Sequence, residues 1–583
     1  MKHLFYLNKF FWRYKILLLS GAIFITIANL FALYPAEFVR EAFDKILENI
    51  NNNNGDLDKI KKTILFYSGL IFVFAALKGV FMYLMRQTII VMSRKIEHDL
   101  KNEIYYKYQT LSLAFYKVNK TGDLMNRISE DVSRVRMYLG PCLMYAINII
   151  TLFFLVIQKM LSISTVLTFY VVLPLPVLAV SIYFISHKIN RRSERVQAKL
   201  SEITTISQET ISGIKLIKAF NNQKNILKKF VDNCKHYTRL QIKLVKIEAL
   251  FFPLIITMIG TSTILTIYIG GLESFNGKIT TGNIAEFIIY INMLAWPVAS
   301  IGWITSLVQR AAASQERINK FLLVNSKIKN QNLTNTSFNG NIEFKNVSFK
   351  YKETNIQALK NINISIKKGE KIGLFGKTGC GKSTITNLIC RLYNVDSGEI
   401  KIGGKNINKL NLYNLRSSIG YVPQDGYLFS GTIRENITFS SNEFNRKKMI
   451  ECAKNASILE EIENLENGFD TLIGERGIQL SGGQRQRISI ARTLYSNVDM
   501  YIFDDCLSAV DVKKEKEILN NLIHKTKGKT TIIISHRISS FKNTNKIIVL
   551  ENGQVKEIGD HKKLISGKGF YSKMFQLQLK NVN

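Results

Sequence analysis

Acidic residues are scarce in this chain of 583 residues: 44, against 79 lysines and arginines, for a formal net charge of +35. Such a balance calls for an anionic partner, either nucleic acid or a membrane surface. The basic excess is scattered through loops beside apolar runs, which favours membrane flanks and excludes a nucleic-acid surface. The six cysteines (Cys142, Cys234, Cys380, Cys390, Cys452 and Cys506) form no CxxC pair and show no histidine-rich spacing. That excludes a metal-thiolate site and a disulfide framework, and the thiols read as unpaired in a reducing compartment. Proline is rare, and six of the seven (Pro35, Pro141, Pro174, Pro176, Pro253, Pro297) lie in or at the ends of apolar runs. Buried helices tolerate them there, with local kinks. The first half has no repeat of solenoid period, and no small-residue cleavage site follows the first apolar run, which argues against a cleaved signal peptide. The chain is too long for one core, and being 46% hydrophobic yet 21% charged it divides into halves of different character.

Residues 1–15 are basic and aromatic (Phe5, Phe10, Phe11, Trp12, Tyr14 among Lys2, Lys9, Arg13, Lys15), the mixture of an interfacial helix. A transmembrane domain over 16–322 follows, with six runs long enough to cross a bilayer at about 16–36, 64–85, 137–157, 161–186, 249–271 and 284–308. Lys78 is the clear charge inside a run; it reads first as snorkelling toward Arg86 and second as lining a polar cavity. Glu286 reads as interfacial. The links at Gln158–Met160 and Leu272–Asn283 carry about one basic residue each, whereas 86–136 and 187–248 carry ten or more. The positive-inside rule then places the long stretches and both termini in the cytoplasm. Those stretches keep helical periodicity and read as spans continued into the cytosol, broken at Asn119–Asp123 and Ser212–Gly213. Hydroxyl, amide and aromatic groups within the runs (Asn29, Tyr83, Asn148, Tyr170, Asn292, Trp296, Trp303) are candidates for a substrate cavity or for packing.

An Asn-rich linker at 323–341 leads into a soluble module at 342–577, where strand-like alternation begins (Ile342, Phe344, Val347, Phe349). Ile372–Thr384, IGLFGKTGCGKST, is strand, loop and helix start. Its loop (Gly376, Lys377, Thr378, Gly379, Cys380, Gly381) offers backbone N–H groups to a polyphosphate. Lys382 reaches the β- and γ-phosphates, Ser383 ligates Mg²⁺, and Thr384 opens the helix. Tyr351 fits an adenine stack or a plain surface tyrosine. Gln424 follows a short strand, in reach of Mg²⁺ or an attacking water. In LSGGQ, Ser481, Gly482, Gly483 and Gln484 open a helix that can cap an anion. MYIFDD is a buried strand ending in Asp504, to hold Mg²⁺ through water, and Asp505, beside the reacting phosphate; Asp511 closes the next turn. TTIIISH delivers His536 to the same edge of a doubly wound α/β sheet.

These motifs, in this order, resemble the ATP-binding cassette of ABC transporters, and the six runs ahead of them resemble a type IV exporter half-transporter. The resemblance covers nearly the whole chain and implies a multidomain fold: a six-helix α transmembrane bundle with cytoplasmic helical extensions, then an α/β P-loop cassette. It implies ATP with Mg²⁺, a second half-transporter as partner, a lipid membrane, and ATP-driven export of a small amphiphilic drug or lipid from a bacterial plasma membrane. Phe115–Arg127 and Gln208–Phe220 resemble the two coupling-helix regions, and Thr471–Gly477 the segment that meets them. Most family members carry Glu where this chain has Asp505, so the resemblance is to the degenerate-site subunit of heterodimeric exporters. A homodimer using Asp505 as base, a cassette-regulated channel or sensor, a soluble chromosome-type ATPase and an importer subunit are the alternatives.

Overall fold

The computed structural model describes residues 2–51, 57–330, 340–441, 443–474, 477 and 479–580. Residues 331–339 of the Asn-rich linker, together with Glu475 and Arg476 of the Thr471–Gly477 segment, lie outside the described residues. The chain forms two compact units: residues up to Gln109 with Gly122–Val324, and Thr110–Thr121 with the chain from Asn325 onward.

Among the described residues of the first unit, six helices are long and apolar enough to cross a membrane: α1 (Lys15–Ile50), α2 (Leu57–Thr110), α3 (Thr121–Ile163), α4 (Thr165–Ser212), α5 (Gln223–Phe275) and α6 (Thr281–Leu322). At 54 residues α2 runs for about 80 Å, well beyond any bilayer. The turn between α3 and α4 falls at Ser164, not at Gln158–Met160, and so inside the run expected at 161–186. Gln158 and Lys159 are good helix formers, and Lys159 is held by Glu37 of α1. Ser164 leaves the helical region and its side chain caps Leu167 N–H, which starts the next helix. Of the prolines, Pro141 sits in a π-type turn (Tyr138–Cys142) and Pro174 restarts a helix after Leu173. Pro35 and Pro297 lie inside continuous helices. Glu286, near the start of α6, is 1% exposed and accepts from Tyr290 and Asn283. A capping box of Thr280 and Asn283 opens α6.

In the second unit, β1 (Ile342–Tyr351), β2 (Ile356–Ile366), β4 (Ser397–Ile402) and β5 (Lys405–Asn406) make an antiparallel sheet in the order β2-β1-β4-β5. A second sheet has the order β12-β11-β3-β10-β9-β6, built from β3 (Lys371–Gly376), β6 (Ile419–Val422), β9 (Met500–Asp504), β10 (Thr530–Ile534), β11 (Lys546–Glu551) and β12 (Gln554–Gly559). A small pair joins β7 (Gly431–Thr432) to β8 (Leu472–Ile473). Within the second sheet β6, β9, β10, β3 and β11 are parallel and buried on both faces, so alternate residues enter different cores. Met500, Ile502, Ile532 and Ile534 pack with β1, β2 and the helix α7 (Lys382–Ile389). Tyr501, Phe503 and Ile533 pack with α8 (Gly482–Tyr495) and α9 (Val512–Lys525). The C-terminal ends of β3, β6, β9 and β10 therefore meet along one edge.

The expected transmembrane domain at 16–322 included Thr110–Thr121, yet this segment clusters with the cassette. Its short helix, Leu113–Val118, places Ala114 against the β1/β2 core, and the Lys117 ammonium sits 5.0 Å from the Tyr351 ring centroid. Local periodicity carries no sign of this partner.

Candidate functional site

The phosphate loop is built by backbone shapes that side chains would block. Gly376 has φ 154°, and a Cβ there would lie 2.3 Å from Leu550 O. Gly381, the N-cap of α7, has φ 104°, and a Cβ there would lie 2.6 Å from Ala358 O. Inside the loop the Lys382 ammonium donates to Gly376 O (2.8 Å) and Lys377 O (2.9 Å), beside Cys380 Sγ at 3.8 Å. Thr378, Gly379 and Cys380 complete the loop. Thr384 Oγ1 lies 3.1 Å from the Tyr351 hydroxyl, and the Tyr351 ring meets Phe349 and Tyr393 edge-on.

At the end of β9 two acidic residues lie beside this loop. Ser383 Oγ donates to Asp504 Oδ1 (2.9 Å) and the Tyr421 hydroxyl to Asp504 Oδ2 (3.2 Å). Asp505 takes a left-handed backbone, φ 47°, and its N–H is fixed to Ile534 O at 2.9 Å. Its Oδ2 lies 3.5 Å from Gln424 Nε2 and 3.7 Å from His536 Nε2. Burial pushes both carboxyls above the ordinary aspartate range. Ser383 and Tyr421 act against that at Asp504; His536, Lys382 and Arg537 do so at Asp505. A hydroxyl next to a carboxylate is a set of hard oxygen donors, which suits Mg²⁺, and a lysine within a concave run of backbone N–H groups suits a polyphosphate. The residues present fit both.

The LSGGQ segment is placed apart from that loop, with no hydrogen bond or ion pair to it among the described residues. Ser481 caps α8: its side chain accepts from Gln484 N–H (3.2 Å) and its own N–H donates to Gln484 Oε1 (2.9 Å). Ser481 is exposed, with Gly482 and Gly483 partly so. Gln484 Nε2 donates to Glu461, which also receives both Arg487 terminal nitrogens (2.8 Å each) and Lys514. Burial pushes the Glu461 carboxyl up, but the hydrogen bonds from Arg487, Lys514 and Gln484 outweigh it and hold it at about 2. Asp511 caps α9, accepting from the N–H groups of Lys513 and Lys514 at 3.0 Å. Four residues escaped the sequence reading. Tyr421 and Glu461 are two. Lys117 is a third, and Gln486, which bonds Gln424 O (3.2 Å) and Ala509 N–H (3.1 Å), is the fourth. Only Tyr421 carried a signal, as a polar-tipped residue on a buried strand.

Of the cavity candidates in the first unit, Asn29, Asn148, Asn292 and Trp296 share a cavity of about 440 Å³. Trp296 and Trp303 line a second, of about 520 Å³, and Tyr83 and Tyr170 line neither. Lys78 lines the first, which is the second of its two expected fates.

Comparison with known proteins agrees with this geometry. The family model described as ABC transporter transmembrane region matches residues 18–298, and that described as ABC transporter matches 359–508. The chain is 32% identical over 578 residues to the Bacillus subtilis (strain 168) probable multidrug resistance ABC transporter ATP-binding/permease protein YheI, covering 98% of this chain and 97% of that protein. It is 33% identical over 495 residues to the ATP-dependent lipid A-core flippase of Syntrophus aciditrophicus (strain SB), covering 84% and 81%. In fold it is similar to the solved structure of a bacterial Atm1-family ABC exporter with ATP bound, at TM-score 0.78 and 23% identity, covering 96% of this chain and 98% of that one.

Proposed function

Because this chain belongs to the ABC transporter family, as a multi-pass membrane ATPase coupled to transport, we propose that it is one half of a dimeric exporter of small amphiphilic molecules, drug or lipid. In that dimer it supplies a slow ATP site of its own and an intact LSGGQ to its partner. The cassette and both termini lie on the cytoplasmic side of a bacterial inner membrane.

The geometry supports the following roles. Lys382 and the loop N–H groups hold the phosphates of ATP. Ser383 and Asp504, already 2.9 Å apart, hold Mg²⁺ with Gln424 at the rim. The bound Mg²⁺ supplies Lewis-acid polarisation and charge neutralisation at the phosphates. Asp505 takes the proton of the attacking water and His536 orients that carboxylate. Tyr351 receives the adenine. Exposed Ser481 and the following glycines face the ATP of the partner, and Asp511 holds the turn beside them. ATP drives the spans by binding the closed pair of cassettes better than the open pair.

One observation carries the slow-site reading. Asp505 is a methylene shorter than glutamate, and its backbone is pinned in a left-handed conformation by Ile534 O, so the main chain is not free to advance the carboxylate. A displacement of about 1 Å at a reacting group lowers rates on the order of 10²-fold. The test is ATP turnover by the purified full chain in nanodiscs, alone and mixed with a half-transporter that has Glu at this position. Weak turnover alone, raised by Asp505→Glu on the order of 10²-fold and restored by the partner, supports the heterodimer. Robust turnover alone, unchanged by Asp505→Glu, overturns it in favour of a homodimer.

A further inference from the structure

Two cations line one cavity of the first unit without an acid beside them. Lys78 and Arg86 are separated by eight residues of α2, two turns, so both lie on one helix face with Met82 and Met85 between them. The cavity of about 440 Å³ is completed in part by Met144 and Met293, and neither Asp nor Glu is among its lining residues. Neither Lys78 nor Arg86 has an ion pair or hydrogen bond among the described residues. The second cavity differs, since it sets Glu248 in the same lining as Arg310.

We propose that the 440 Å³ cavity binds an amphiphilic organic anion, one acidic head on an apolar body, and that Lys78 selects it. An unneutralised cation within an apolar span is costly, and a bound anionic head removes that cost. A cationic amphiphile meets two like charges instead. The volume is that of a drug-sized ligand, and four methionines let the walls adapt to apolar bodies of different shape. Lys78 is half-buried and Arg86 exposed, so solvent screens Lys78 less and it carries more of the selection. This assignment names the substrate class of the exporter read above and rests on that reading.

The test measures probe binding to the full chain in nanodiscs without nucleotide, so it is independent of ATP turnover. The probes are a dansyl-labelled undecanoate, the same dansyl chain ended in trimethylammonium, and an NBD-labelled phosphatidic acid placed in the bilayer. The undecanoate binds at least about tenfold more tightly than the trimethylammonium probe. Lys78→Gln removes most of that preference, Lys78→Arg keeps it, Arg86→Gln reduces it by a smaller factor, and Arg310→Gln leaves it unchanged. Competition by phosphatidic acid assigns the anion to membrane lipid, and its failure to compete assigns it to a soluble amphiphile. Equal affinity for the two dansyl probes, or undiminished undecanoate binding in Lys78→Gln, overturns the proposal. Charge-selective binding without ATP-driven movement of any probe in sealed vesicles that hold the chain together with a half-transporter carrying Glu at the Asp505 position leaves the cavity assignment standing and overturns the exporter reading.

Discussion

Both carboxylate oxygens of Asp504 accept hydroxyl hydrogen bonds, one from Ser383 and one from Tyr421. The Ser383 contact joins the two groups that would hold Mg²⁺. The Tyr421 contact fixes which way the carboxylate faces. Tyr421→Phe removes that hold and leaves the packing of the ring intact. The expected outcome is an Mg²⁺ requirement for turnover raised about fivefold, the equivalent of one ordinary hydrogen bond. Nucleotide binding measured in EDTA stays unchanged, because among the described residues Tyr421 makes no hydrogen bond to the phosphate loop. Equal loss in EDTA would mean that the phenol acts on the fold of the loop instead. Ser383 and Asp504 were legible in the sequence because each lies in a contiguous motif whose chemistry is local. Tyr421 was not, because its contact depends on β6 lying parallel to β9 in a register that sets Tyr421 opposite Ile502.

Three helices meet at Glu461: its own short helix (Leu459–Glu463), α8 through Arg487 and Gln484, and α9 through Lys514. Arg487 is 5% exposed, so removing its counter-charge leaves a buried cation. Water reaches part of the Glu461 side chain, which reduces the expected loss to about 1–2 kcal/mol at neutral pH. Glu461→Gln therefore lowers the unfolding temperature of the cassette in the full chain by about 3 °C or somewhat more. The pH dependence has a definite sign. The folded carboxyl titrates at about 2 and the reference glutamate at 4.5, so the contribution is whole above 4.5 and is lost as pH falls toward about 2. Unfolding followed in wild type and variant from pH 7 downward should show the gap closing in that window. A gap that stays constant with pH would assign the effect to packing and not to charge. This junction was invisible in the sequence, since its members lie 23 to 53 positions from Glu461. The strands were visible, because Met500–Phe503 and Ile532–Ile534 are short unbroken apolar runs followed by polar residues. The turn at Ser164 was misplaced because a charged lysine inside a helix looks like a loop until its partner, Glu37, is known.

At the scale of the whole molecule, six apolar runs and one cassette were readable from hydropathy and motif order alone, while the cavities were not, since they depend on which faces of three or four helices converge. The orientation proposed for the chain follows from parity. Four membrane crossings precede Cys234 and two follow it, so Cys234, both termini and the cassette must share a side. ATP is available only in the cytoplasm, and the proposed orientation therefore sets that side inside. The cysteines provide a measurement without any engineering, because Cys142, Cys380, Cys390, Cys452 and Cys506 are buried and Cys234 is partly exposed near the start of α5. A membrane-impermeant maleimide should leave the chain unlabelled in intact cells and label it in inverted vesicles, with Cys234→Ser abolishing the signal. Labelling from outside intact cells would put the phosphate loop on the side without nucleotide, and the export cycle would then lack its energy source. Labelling of the Cys234→Ser variant in inverted vesicles would show instead that a second thiol opens to solvent. A single thiol thus reports on which side of the membrane ATP must be bound.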